Sequence, residues 1–474
     1  MRPSTRKPSG IRVALRATCS AVIAGAVLAA AMAATASPAG ARVGVGPVPR
    51  IAGIAPESSR AAALDVVPTW TRTIDAPNAV SDVAAGGLRT VYTTGAAKRG
   101  GSSVLHIAKY VDGKRRWQRY YDSPRHAYES GSVIAVRGKA VYTGGIRQTA
   151  AGSELLFIRW NRTGKRVWTR TYKPGARRWV MPMDIGVDDA GNVTVLGLTT
   201  VKTGRGDIVL LSYGSDGSRR YVRRYDGPAH RMDLPAQMVL DSAGRVYIAG
   251  YSESRVGYDG LIIKYSRSGK RLWLRRYDGA VGGDDMLTSL RLRPGGGVYA
   301  AGFTTGGHTG INGLLLAYTA AGRRLFATEE LGGTDETCDQ VFSDLELLPG
   351  GDVICGGAEN TGSWDRFYAI YGRTGRLSRR VTMPGAWRDR IAAIARDGQG
   401  GVILTGRVGT GESTAQVYTE RIRAGGTNWT CLWPAAPATD YQGEKIAVSG
   451  MNVYVAGTFE AGGYPGGVLL GHIY

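Results

Sequence analysis

The chain has 474 residues, with 60 Lys and Arg against 38 Asp and Glu, a formal balance of +22. Glycine accounts for 70 residues, about twice average usage. Apolar residues reach 43%, enough for a sizeable core, which excludes a wholly disordered chain. Neither a collagen triplet nor a heptad runs through it, which excludes the fibrous classes.

The first stretch reads as an export signal. Arg2, Arg6, Lys7, Arg12 and Arg16 precede an apolar run over residues 17–36. The run ends in Ala34-Thr35-Ala36, the small-x-small pattern of a signal-peptidase site, with Ala39-Gly40-Ala41 as a second candidate. Residues 1–36 are therefore predicted to be a Sec-type signal peptide and the mature chain to be secreted or held at the cell surface. The alternative is a retained membrane anchor. Cys19 lies at the start of the apolar run, unlike the cysteine of a lipid-anchored protein. Residues 37–67 are rich in Ala, Pro, Gly and Ser and hold no aromatic, which predicts a flexible linker.

From residue 68 onward one internal repeat organises the chain. The motif Val-x-x-x-Gly, usually with Tyr second, recurs at Val91–Gly95, Val141–Gly145, Val193–Gly197 and Val246–Gly250, then at Val298–Gly302, Val353–Gly357, Val402–Gly406 and Val453–Gly457. Each copy shows four β-type segments. In the fourth they are Met238-Val239-Leu240, Val246–Ala249, Leu261–Tyr265 and Arg271–Tyr277, separated by turns such as Ser266-Arg267-Ser268-Gly269. Four short antiparallel strands per unit of about 50 residues predict a β-propeller blade. A lone blade cannot bury both faces; a ring of blades can.

The two ends explain each other. The last repeat stops at its third strand, and Trp70–Pro77 aligns with the fourth strand of other repeats, such as Tyr221–Pro228. The expected fold is all-β: an eight-bladed propeller of four-stranded antiparallel blades over 68–474, its ring closed by an N-terminal strand that completes the last blade.

The repeat resembles the bacterial secreted β-propeller repeat called SBBP. The pattern Asp-x-x-Gly-Asn-Val-x-Val-x-Gly, then Asp-x5-Tyr-x3-Gly-x3-Trp-x3-Tyr, is carried here by Asp188–Gly197 and Asp259–Tyr277. The resemblance covers most of the chain and implies an exported or surface propeller used as a binding platform. Two departures are visible: Phe326 replaces the fourth-strand Trp, and Arg379 stands where an aromatic is expected. The segments Gly113–Trp117, Gly164–Trp168 and Gly269–Trp273 also resemble the docking motif of quinoprotein propellers. Those redox enzymes carry adjacent cysteines, and this chain has none.

Several residue sets could carry chemistry. Trp70, Trp117, Trp168, Tyr221, Trp273, Phe326 and Trp429 recur at one position of the fourth strand. Recurrence in nearly every repeat points to packing between blades rather than to sugar stacking. Polar residues recur before the innermost strand at Asn78, Glu129, Asp233, Asp285, Asp339, Asp389 and Asp440. They are either a polar ring at one mouth of the channel, able to bind a cation or do acid–base work on a glycan, or caps of local backbone groups. The histidines give no converging metal set, so no metal is predicted. Cys338, Cys355 and Cys431 allow one disulfide in an exported chain, with the pairing open. Arg pairs, Arg223-Arg224 and Arg275-Arg276 among them, fall on the outermost strands, where they either discourage edge pairing or contact anionic polymer.

No nucleophile elbow, phosphate loop or metalloprotease motif appears, and no recognition module for specific nucleic-acid reading. The sequence therefore predicts a non-enzymatic, monomeric binding or interaction platform without cofactor. Its partner would be an anionic cell-envelope polymer or another surface protein, with at most peripheral membrane contact. The alternative is a propeller enzyme acting on envelope glycans or using a quinone.

Overall fold

The computed structural model describes residues 64–65, 67–74, 79–123, 128–149, 152–175, 178–201, 204–306, 310–330, 339–360, 363–385, 387–423, 429–434, 439–461 and 464–473. Asn78 and Cys338 lie outside them. The described residues form eight antiparallel sheets and no helix. The first seven blades span 79–121, 128–172, 178–225, 233–277, 285–330, 339–383 and 390–433. The eighth takes three strands from 441–473 and its outermost from Trp70–Ile74. That strand pairs antiparallel with the C-terminal one, Trp70 against Gly471 and Ile74 against Gly467. The ring is thus closed by one strand from one end and three from the other. Leu64–Asp65, within the segment expected as linker, adds a short parallel strand beside Trp429-Thr430 of the seventh blade.

The strand pattern follows from where each strand sits. In the fourth blade, Val246–Glu253 and Tyr258–Tyr265 are buried almost end to end because neighbouring blades cover both faces. They therefore read as continuous apolar runs. The outermost strand, Arg271–Tyr277, is exposed or half-buried up to its last residue and holds the charges. The innermost, Asp233–Leu240, starts earlier than its apolar core Met238–Leu240 suggests, at the acid Asp233. Eight apolar clusters make up the core. One is built from Leu196, Ile208 and Leu210 of the third blade with Met238, Ile248, Leu261 and Ile263 of the fourth.

Every innermost strand carries a register shift, between Pro235 and Gln237 in the fourth blade and between Leu287 and Ser289 in the fifth. The shift presses its carbonyl onto the neighbouring strand. A Cβ on the motif glycine Gly250 would collide with the Leu234 carbonyl oxygen, and Gly302 meets the Met286 oxygen in the same way. The repeated glycine of Val-x-x-x-Gly is thus required by close approach of backbone.

Leu345 and Cys355 face each other across the sixth blade. Cys355 and Cys431 are free and buried, and burial pushes the Cys431 thiol up to about 12.

Candidate functional site

Because the strands alternate in direction, the links between blades and the loops between second and third strands share one face. The recurring acids sit at its base. Asp233, 1% exposed, accepts hydrogen bonds from Gly227 N at 2.6 Å and from the Ser252 hydroxyl at 2.5 Å. Asp285, 0% exposed, does the same with Gly279 N and the Thr304 hydroxyl. Asp389 accepts from Gly409 N and the Arg366 guanidinium, and Glu129 from Ser123 N. Asp339 accepts from Ile311 N, and Asp440 pairs with Arg407. Each carboxylate thus ties the incoming link to its own blade or to the preceding one. The structure does not bring these acids into a single site. Burial raises the pKa of Asp285 to about 6 against the hydrogen bonds it accepts, and raises those of Glu129, Asp233 and Asp389 as well.

Around Asp233, carboxylate oxygens of Asp207, Asp226 and Asp233 lie within 4.8 Å of one another. Arg178 and Arg224 both pair with Asp207, and His230 Nδ1 lies 3.1 Å from Asp226. Two guanidinium groups already answer much of that negative charge.

A second set of polar groups, which the repeat motif did not disclose, lines the innermost strands. Asp82 accepts from Ile134 N of the next blade at 2.8 Å, Asp184 from Met238 N at 2.8 Å, Gln237 from Leu290 N at 2.7 Å and Asp344 from Ile394 N at 2.8 Å. They occupy one column of the repeat, directly after the register shift, and staple consecutive blades around the axis. Arg291 joins Asp344 at 3.2 Å and Glu346 at 3.0 Å. Lys445 occupies the same column in the last blade, and the carboxylates of Asp82 and Asp184 raise its pKa while burial opposes them. Burial lifts Asp184 to about 6. The signal for this set was a polar column in a strand otherwise chosen for packing.

The rim arginines and the recurring aromatics form one device. Trp117, Trp168 and Trp273 donate their indole N–H to Arg162 O, Ser215 O and Ala320 O in the turn of the following blade. Two residues on, Arg170, Arg223 and Arg275 donate Nε to Gly217 O, Gly269 O and Gly322 O of that same turn. Each guanidinium also lies over the aromatic it follows, 5.4 Å from the ring centre for Arg223 on Tyr221 and 5.8 Å for Arg275 on Trp273. Arg224 and Arg276 turn instead to the carboxylates of Asp207 and Asp259. Trp70 packs its ring against Gly113 across the ring closure, and Phe326 packs against Gly375. Trp429 stacks on His472, 5.1 Å between ring centres. Arg379, where the aromatic is replaced, is exposed.

No protein-family model matches the chain, and no curated protein matches it. Solved structures do. Sqt1 of Chaetomium thermophilum, bound to the N-terminus of ribosomal protein L10, is 11% identical with a TM-score of 0.50, over 85% of this chain and 98% of that one. The polysaccharide lyase Uly1 is 10% identical with a TM-score of 0.48, over 86% and 100%. Puromycin hydrolase is 14% identical with a TM-score of 0.44, over 84% of this chain and 62% of that one. Likeness at such identity is one of fold alone, and by its own eight sheets this chain is an eight-bladed β-propeller.

Proposed function

We propose that the chain is an exported propeller of the SBBP type that acts as a non-enzymatic binding platform. It takes its ligand or partner on the face formed by the inter-blade links and the loops between second and third strands. One observation carries the reading: three exposed apolar side chains share that face, on loops that the fold holds in place. Val256 is 73% exposed, Val281 49% and Trp387 40%. Their loops are held rather than loose. Gly257 abuts the Gly283 carbonyl, and Tyr258 N donates to Asp284 at 3.2 Å. Apolar groups fixed on a polar rim are what a docking surface presents. The loops there also differ in length from blade to blade, as 100–101, 254–257 and 306–310 do.

Exposed Arg255 and Arg388 stand next to these apolar groups, and the chain is strongly basic. These support an anionic partner, an envelope polymer or an acidic surface protein. Export is supported by the basic-then-apolar sequence of residues 1–36. The test is co-sedimentation with purified cell envelope and a glycan array across a salt series. Trp387→Ala and Val256→Asp should each weaken retention about tenfold without moving the melting temperature. Retention indifferent to both substitutions would refute the loop face as the binding surface. Cleavage of an arrayed glycan would favour the enzyme instead.

A further inference from the structure

The first blade departs from the repeat on the side that meets the closing strand. Opposite the motif glycine, the third strand elsewhere places a buried apolar group such as Leu156, Leu261, Leu314 or Phe367. In the first blade that position, opposite Gly95, is His106. It is 1% exposed, and neither imidazole nitrogen completes a hydrogen bond among the described residues. Leaving such a group unsatisfied is costly, and the leucine used elsewhere would remove the cost. Near it stands Gln118, at a position that holds Thr169, Val222 or Leu274 in other blades.

His106 and Gln118 line a cavity of about 520 Å³ between the strand Trp70–Ile74 and the first blade. Arg72, Arg115, Tyr110 and Tyr120 complete its wall. Arg72 spends Nε on Gly113 O and Nη1 on Thr71 O, both at 2.8 Å. Arg115 donates one N–H to Gln118 at 2.9 Å. Among the described residues no carboxylate pairs with either guanidinium. Burial lowers the His106 pKa to about 4, against the opposing pull of the Gly95 backbone. The imidazole is therefore neutral near pH 7 and offers one donor and one acceptor. The volume falls in the range of small-molecule sites.

We propose that this cavity binds a small hydroxylated oxyanion, a carboxylate or phosphate ester of about sugar size. The guanidinium groups of Arg72 and Arg115 take the anion, and His106 and Gln118 take hydroxyl groups. An apolar ligand would leave the buried imidazole unsatisfied, and a cation would be repelled by two arginines. This site is separate from the loop face and does not depend on it.

The experiment is calorimetric titration of the full-length chain with glucuronate, with glycerol 3-phosphate and with neutral methyl glucoside. At least one acid should bind, with the neutral sugar at least tenfold weaker; which acid binds identifies the source of the oxyanion. His106→Leu, the residue type other blades use, should lose at least tenfold in affinity while its melting temperature holds or rises. Arg115→Gln, an exposed change that does not threaten folding, should lose at least tenfold as well. The proposal is overturned if neither acid binds, if methyl glucoside binds equally, or if Arg115→Gln binds within twofold of the parent. Trp387→Ala should leave this binding untouched.

Discussion

Gly322, in the turn before the outermost strand of the fifth blade, lies flat against the indole of Trp273 in the fourth: a Cβ added to it would stand 2.8 Å from the ring. The same glycine has φ of +82° and accepts a hydrogen bond from Arg275 at 2.7 Å. One backbone position therefore meets a ring face, a guanidinium and a left-handed conformation together. Gly322→Ala combines overpacking with a strained φ and should cost about 2–4 kcal/mol. The denaturant midpoint of the variant measures it, and a midpoint equal to that of the parent would mean that the blades do not depend on this contact.

Charge reversal on the rim should be felt in stability. Arg275→Glu removes both the bond to Gly322 and the approach to Trp273, and Arg276→Glu sets a second acid against Asp259. Each should cost about 1–2 kcal/mol, the range for a lost charged hydrogen bond at a partly exposed site. The check is thermal unfolding at low and high salt. Arg276→Glu should recover partly in salt, because screening weakens the repulsion it introduces. Equal stability of both variants and the parent would return these arginines to a purely surface role.

Ring closure can be tested directly. Removing 64–74 uncovers the ladder edge of Gly467–Gly471 and takes Trp70 off Gly113. A flat, apolar edge seeks another strand. Size-exclusion chromatography should show dimers and larger species, with a lowered melting temperature. A monomer that melts like the parent would show that the eighth blade stands without its outer strand.

Asp184 gives a pH signature. Its pKa is raised from 3.8 to about 6, first by burial, while Met238 N, Lys445 and Ile185 N pull it down. The folded state then holds a proton that the unfolded chain has released. This contribution is fully present below about pH 4 and is lost as pH rises through about 6. Asp184→Asn should flatten the stability profile between those values. It should also cost about 1 kcal/mol throughout, because an amide cannot accept from both Ile185 N and Met238 N. Urea unfolding at half-unit steps of pH would show it. An unchanged slope would assign the titration to Asp285, which is raised to the same value.

The fold was legible because a blade repeats its requirements. The motif glycine answers one carbonyl in nearly every blade, the turn glycine answers an aromatic, and Trp70 kept the register of its counterparts across the break in the chain. What a blade needs appears many times over. The acids illustrate the limit. Asp233 and Asp285 announce a position but not a direction, and a carboxylate that caps backbone has the same spacing as one that faces a channel. The stapling column of Asp82, Asp184, Gln237 and Asp344 was harder to see, since its residue types vary while its hydrogen-bond duty does not. His106 was visible as one of five histidines. Its strangeness emerges only once the register sets it against Leu156 and Leu261.

The pairing of Trp70–Ile74 with Gly467–Gly471 orders events in time as well as in space. The first strand of the ring leaves the ribosome first and finds its partner last, after every other blade has been made. Until then the third strand of the eighth blade has no partner on its outer side. Such a long-range ladder makes completion a late and slow step. It also makes the finished ring a proofreading device: a chain truncated anywhere before residue 467 leaves its opening strand unclaimed, exposed to whatever recognises unpaired β-structure.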